Sequence, residues 1–364
     1  MRGKTPVPRR RIIKPAAPIP GRRVINAMAP IRVCDLGGWT DTWFAETGAV
    51  LNIGVYPYAE VQVSVSHDRK HDRRIVVNAE NFGDRYTLVP GRITYDRHPL
   101  IEASIDIMDL PESLSFEVDL YSIAPAGAST GTSAAVTVAL LGALDLLTPG
   151  RRTPHEIASL AHRVETEKLG LQCGIQDQLC SAYGGVCFIE MFDYPHASVS
   201  QVAVPNDVWW ELERRLVLVY LGHSHSSSDV HGQVITRLEQ KDADKSVLDP
   251  LRDAARAGKN ALFAGDFGAL GRCMIANTEG QAALHPALVS ADAKAVIELA
   301  HKHHAAGWKV NGAGGEGGSL TILCDADGAH KRAFINALHE RSANYQVIPT
   351  YLSRTGLRRW EVGE

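Results

Sequence analysis

The chain has 364 residues, more than one average domain of about 150 residues, so two domains are expected. Hydrophobic residues make up 45% and charged residues 22%, which excludes a chain disordered throughout. With 38 basic and 41 acidic side chains the net charge is −3, which argues against bulk nucleic-acid binding, and the longest apolar run, Ala134 to Leu147, is too short for a membrane span.

The first 23 residues hold eight Lys/Arg, five prolines and no acid, and no apolar stretch follows. That pattern predicts a flexible basic tail at 1–23 and not a secretory signal. From Val24 the pattern is mixed α and β. Alternation across Val50 to Ser66 predicts a strand, and Arg74 to Val77 and Phe116 to Ile123 predict two more. Ala134 to Leu141 reads as a helix directly after a small-residue loop. Thr153-Pro154-His155-Glu156 starts another, with Thr153 as N-cap, and helical spacing continues to Leu169. Val186 to Glu190 is a strand, and the chain then reads as irregular over 193–210, where the boundary between residues 24–205 and 206–364 is set. Beyond it come a strand at Leu216 to Leu221 and helices near 229–242, 247–264, 267–276 and 289–306. Strands near 318–324 and 345–350 and a helix at 329–340 complete the chain. The six cysteines form no Cys-x-x-Cys pair and read as reduced thiols of a cytoplasmic protein.

Three glycine-bearing segments and two carboxylates carry the chemistry. In the first segment, Arg32 is followed by Gly37-Gly38-Trp39-Thr40-Asp41. The glycines allow a tight turn. Asp41 beside a hydroxyl and an aromatic ring suits a polyol, with Gly38, Trp39, Thr40 and Asp41 as candidate substrate contacts; a loop with a capping aspartate is the other reading. The second segment is Pro125-Ala126-Gly127-Ala128-Ser129-Thr130-Gly131-Thr132-Ser133-Ala134, between a strand and a helix. Small residues, free helix N-terminal amides and hydroxyls make it a candidate phosphate cradle, although it has neither Gly-Lys-Ser/Thr nor G-x-G-x-x-G. In the third, Gly312, Gly314 and Gly315 belong to a glycine run ahead of an apolar strand, which points to close backbone approach to a ligand. The carboxylates are Glu165 and Asp177, the latter in Cys173-Gly174-Ile175-Gln176-Asp177-Gln178. Phosphoryl transfer to an alcohol needs a divalent ion and a carboxylate that orients the hydroxyl. The stretch Gly222 to His231, with His225 and Ser226, reads either as a helix cap or as a wall of an acceptor pocket. The histidines at 301–304 read as a solvated helix end.

In this order the segments resemble the GHMP small-molecule kinases, over nearly all of residues 24–364. The resemblance implies an α+β, two-domain GHMP kinase fold: an N-terminal domain like ribosomal protein S5 domain 2 and a ferredoxin-like C-terminal domain, with the active site between them. It implies ATP and Mg²⁺ as cofactors, phosphates on residues 125–134 and near Gly312, Gly314 and Gly315, and magnesium on Ser133 and Glu165. Asp177 falls on the family's catalytic aspartate, Arg32 on the arginine that steadies it, and Asp41 on the sugar-binding aspartate, with Gly174 nearby. Gly37-Gly38-Trp39-Thr40-Asp41 is similar to the fucokinase and heptose 7-phosphate kinase branch, which implies a sugar or sugar-phosphate substrate and attack by an anomeric hydroxyl. Ser129, Thr130 and Thr132 depart from the usual loop, and Glu316 has no expected role. A GHMP kinase for a non-sugar alcohol, or a non-catalytic regulatory member, are the alternatives. No nucleic-acid or membrane partner is expected, and the chain is expected to act as a monomer or homodimer.

Overall fold

Apolar–polar alternation shapes several strands of this protein, whereas the first strand from Ala29 onward and the strands Leu216–Tyr220 and Ser319–Leu323 are buried on both faces. The computed structural model describes residues 23–66, 75–111, 114–223 and 228–362. Residues 1–22 of the expected tail at 1–23, with Arg74, His225 and Ser226, lie outside the described residues, whereas Arg23 opens the first strand and pairs with Val65. The first half gives, in chain order, β1 (Arg23–Leu36), β2 (Gly48–Ser66), β3 (Ile75–Ala79), β4 (Asp84–Leu88), α1 (Pro99–Ile107), β5 (Ser115–Ser122), α2 (Thr132–Asp145), α3 (Pro154–Arg163), α4 (Gln176–Tyr183), β6 (Val186–Asp193) and β7 (His196–Gln201). The second half gives α5 (Asn206–Arg215), β8 (Leu216–Tyr220), α6 (Ser228–Leu238), α7 (Asp249–Ala264), α8 (Phe267–Leu284), α9 (Ala291–Lys302), β9 (Gly307–Val310), β10 (Ser319–Leu323), α10 (Gly328–Arg341), β11 (Gln346–Ile348), β12 (Tyr351–Leu352) and β13 (Arg358–Val362).

A nine-stranded sheet runs β13-β1-β2-β5-β3-β4, with β6 and β12 also on the long β2 and β7 on β6. A four-stranded antiparallel sheet runs β11-β8-β10-β9. Residues 351–362, grouped by sequence with the second half, therefore return to the first sheet, where Arg358–Val362 pairs with Val24–Met28. The apolar helix α2 lies against β1 and β2 and is buried along nearly its whole length, as a helix apolar all round must be. Helices α7 and α8 pack on β2 and β9 respectively, and both also touch β1, so they join the halves. A second apolar cluster, with Val219, Ile322, Val296 and Phe334, fills the space between the smaller sheet and α9 and α10.

Thr153 caps α3 as its sequence predicts: its backbone N–H donates to Glu156 Oε2 at 2.7 Å while its hydroxyl accepts the Glu156 amide. The predicted single helix to Leu169 instead changes pitch, because Val164–Lys168 forms one π turn closed by Leu169 N–H on the Val164 carbonyl. The segment 193–210, expected to be irregular, contains β7 and the start of α5. Helix α8 runs eight residues past its predicted end at 276, to Leu284. All six cysteines are free thiols. Among the described residues no helix is long and apolar enough to cross a membrane.

Candidate active site

Strand β1 carries Arg32 into the interior, where it is only 4% exposed. Its backbone N–H donates to the Thr130 carbonyl at 2.9 Å, so the small-residue loop is anchored beside it. Its Nε donates to Asp177 Oδ1 at 2.8 Å, Nη2 to Asp177 Oδ2 at 3.3 Å, and Nη1 to the Ser129 carbonyl. One guanidinium thus ties β1, the loop and the first turn of α4 together. Burial opposes its charge, but Asp177 and Asp35 outweigh that and hold its pKa above the ordinary value.

The loop turns into α2 at Gly131, whose φ of 68° lies in the left-handed region. A Cβ there would stand 3.1 Å from the Asp177 carboxylate, so this glycine is also what lets the loop approach Asp177. No side chain caps α2, which leaves its first amides available to a ligand. Ser133 is exposed at this helix start, and the hydroxyls of Thr130 and Thr132 lie 3.2 Å apart. Gly127 to Ala134 line a cleft of about 480 Å³, whereas Pro125 and Ala126, expected in the cradle, do not.

Glu165 projects into the same cleft from the π turn, and Gln178 Nε2 donates to its Oε1 at 2.7 Å. Burial pushes its pKa up to about 7 against that hydrogen bond, with Asp177 adding to the rise. Asp41 is 2% exposed and accepts the Gln176 backbone N–H at 3.0 Å. Burial raises its pKa to about 6, with the Gln176 amide pulling the other way. Gly174 lies under this carboxylate, and a Cβ at 174 would stand 2.1 Å from Asp41 Oδ2. Trp39 lines the cleft but is nearly buried: its indole N–H donates to the Ala313 carbonyl at 3.2 Å and its ring meets His231 edge-on at 5.4 Å.

Several expected ligand contacts turn inward. The Thr40 hydroxyl donates to the Gly37 carbonyl at 2.7 Å and accepts the Ala49 amide at 3.1 Å, so it pins the turn and is absent from the cleft wall. Gly38 also lies behind the wall, against Asp35 and Gln176. Of the third segment, Gly312 and Ala313 reach the cleft but Gly314 and Gly315 do not. A Cβ at Gly314 would stand 2.3 Å from the Leu288 carbonyl, and the Gly315 amide donates to that same carbonyl at 2.9 Å. Both glycines are thus packed against the Leu288 segment. Glu316 is exposed and outside the cleft.

The cleft also contains residues to which the sequence reading gave no role. Gln178 holds Glu165, and Gln176 holds Asp41. His231, from the ambiguous 222–231 stretch, bonds the Gly314 carbonyl through Nε2 at 3.1 Å. Trp43 and Gln172 close one end, both donating to Glu239 Oε1, at 2.6 and 3.2 Å. Trp43 and Gln172 are shared with a neighbouring cavity of about 730 Å³.

Residues 100–185 match the GHMP kinases N terminal domain, a span that includes the small-residue loop, Glu165 and Asp177. The chain is 26% identical over 249 residues to a D-glycero-alpha-D-manno-heptose 7-phosphate kinase of Campylobacter jejuni, covering 68% of this chain and 72% of that protein. It is 30% identical over 253 residues to a mevalonate kinase of Thermococcus sibiricus, covering 66% of this chain and 68% of that one. Its fold is shared with a D-glycero-D-manno-heptose 1-phosphate kinase from Bacteriodes thetaiotaomicron, with a TM-score of 0.72 at 24% identity, over 93% of this chain and all of the other. On the matched domain, the relatives and the common fold, the chain belongs to the GHMP kinases, a family of ATP-dependent phosphotransferases.

Proposed function

We propose that this kinase transfers the γ-phosphoryl group of ATP to a hydroxyl of a sugar or sugar phosphate, most simply the anomeric hydroxyl. The observation that carries this reading is the Arg32–Asp177 pair, at 2.8 Å, in one cleft with the Gly127–Ala134 loop, Glu165 and Asp41. The similarity to a heptose 7-phosphate kinase supports a sugar acceptor.

In this reading the ATP phosphates lie along Gly127 to Ala134, where the α2 amides and dipole favour negative charge. The donor set there fits a hard divalent cation: Ser133 offers an exposed hydroxyl, and the Glu165 carboxylate, raised to about 7 by burial, gains from a cation beside it. Ser133 and Glu165 would hold magnesium, which when bound neutralises phosphate charge. Asp41, fixed by the Gln176 amide, accepts hydroxyl hydrogen bonds from the acceptor, and the Trp39 ring edge bounds the same space. Asp177 orients the attacking hydroxyl and takes its proton as the oxygen–phosphorus bond forms and the bond to ADP breaks. Arg32 keeps that carboxylate aimed and faces the transferring charge.

Asp177→Asn tests the assignment. The variant is expected to lose turnover by roughly 100- to 10,000-fold while binding ATP within about threefold of the parent. Retained turnover would remove Asp177 from the chemistry.

A further inference from the structure

Two buried charges next to the cleft have no part in the chemistry above. Asp35 on β1 and Lys309 on β9 are both fully buried, with the ammonium 3.5 Å from Asp35 Oδ1. Lys309 also donates to Gln281 Oε1 at 3.0 Å and to the Val310 carbonyl. Asp35 accepts the Gly312 amide on both oxygens, at 3.1 and 3.0 Å. Gln281 completes the link by donating to the Gly312 carbonyl at 2.8 Å. The same Asp35 Oδ1 stands 3.9 Å from Arg32 Nη1. The Arg32 guanidinium therefore lies between two carboxylates, hydrogen-bonded to Asp177 and just short of contact with Asp35.

With Arg32 and Lys309 protonated the formal charges of Arg32, Lys309, Asp35 and Asp177 cancel, and burial pushes the Lys309 pKa down while Asp35, 3.5 Å away, holds its charge. In a water-poor interior a carboxylate that loses its counter-ion is left uncompensated and is relieved either by a proton or by a cation within reach. For Asp35 that cation is Arg32, about 1 Å beyond hydrogen-bond distance. We infer that Lys309 is a positioning residue: by neutralising Asp35 it leaves Arg32 on Asp177, and so keeps aimed the carboxylate that receives the acceptor's proton. The assignment rests on the role proposed for Asp177. It also explains why the third glycine segment is tied to the first: the Gly312 amide and the Lys309 ammonium meet on one carboxylate.

Lys309→Met, Asp35→Asn and Asp35→Asn/Lys309→Met, assayed by ADP release with the acceptor the wild type uses, test it. Lys309→Met is expected to lower kcat about 100-fold, the cost of a misaimed group, with KM for ATP and acceptor within about threefold. The double variant removes both charges, keeps an acceptor for the Gly312 amide, and should return kcat to within about tenfold of wild type. Unchanged kcat in Lys309→Met, or an equal loss in the double variant, overturns the inference. Should Lys309→Met not fold, Asp35→Asn decides: without the competing carboxylate kcat holds, and a loss as deep as that of Asp177→Asn overturns it. A wild type silent with every acceptor overturns the kinase reading instead. Crystals of Lys309→Met then decide the pairing alone: Arg32 moved onto Asp35 supports it, and Arg32 still 2.8 Å from Asp177 overturns it.

Discussion

Gly174→Ala sets a methyl group against the carboxylate proposed to hold the acceptor. The added Cβ would lie 2.1 Å from Asp41 Oδ2, 2.7 Å from its Cγ and 3.1 Å from Oδ1. Non-bonded carbon–oxygen contacts need more than about 3 Å, so Asp41 must retreat by roughly 1 Å. Retreat breaks its 3.0 Å hydrogen bond from the Gln176 amide, because Asp41 is 98% buried and enclosed. Overpacking of this kind costs about 1–3 kcal/mol, and a displaced hydrogen-bonded carboxylate typically costs about 1.5–3 kcal/mol of whatever it was holding. The acceptor KM is therefore expected to rise roughly 10- to 100-fold, with KM for ATP within about threefold and a lowered melting temperature. Steady-state kinetics with each substrate varied in turn, beside a thermal melt, measures all three. A lower melting temperature with an unchanged acceptor KM would refute the role given to Asp41.

Glu165 and Asp41 are buried acids whose pKa values burial raises, to about 7 and about 6. Their folded values exceed the unfolded ones, so the stability they contribute is present below about pH 4 and is lost as pH rises through 6 to 7. Glu165→Gln should accordingly gain melting temperature relative to wild type between pH 5 and pH 8, and a difference constant with pH contradicts this. Thr40→Val should cost about 1–2 kcal/mol by chemical denaturation and leave the acceptor KM unchanged, because the hydroxyl serves the Gly37 turn; a raised KM would return Thr40 to the cleft.

The elements read correctly from sequence are those whose local signals agree. Thr153-Pro154-x-Glu156 announces the start of α3, and alternation announces β2 and β5. Strand β1 gave no such signal, since from Ala29 onward every residue is buried and the period of two vanishes. Pro195, Pro205 and Asn206 suggested irregular chain, yet Pro205 in fact precedes the first turn of α5. In the site, the glycine segments and the carboxylates were recognisable by residue type. Which glycines line the cleft was not: Gly312 and Gly314 look alike in sequence, and only packing separates the cleft wall from the Leu288 contact. Nor was the Asp35–Lys309 pair legible, because its partners come from strands far apart in the chain.

The proposed sugar kinase should turn over a sugar or sugar phosphate rather than mevalonate. ADP release with Mg-ATP, measured against free hexoses, 6-deoxyhexoses, heptoses, heptose 7-phosphate and mevalonate, decides this, with Asp177→Asn as control. Turnover with a sugar or sugar phosphate that disappears in the variant is the predicted result. Turnover with mevalonate alone, or no acceptor-dependent turnover in a protein that binds ATP, would contradict it.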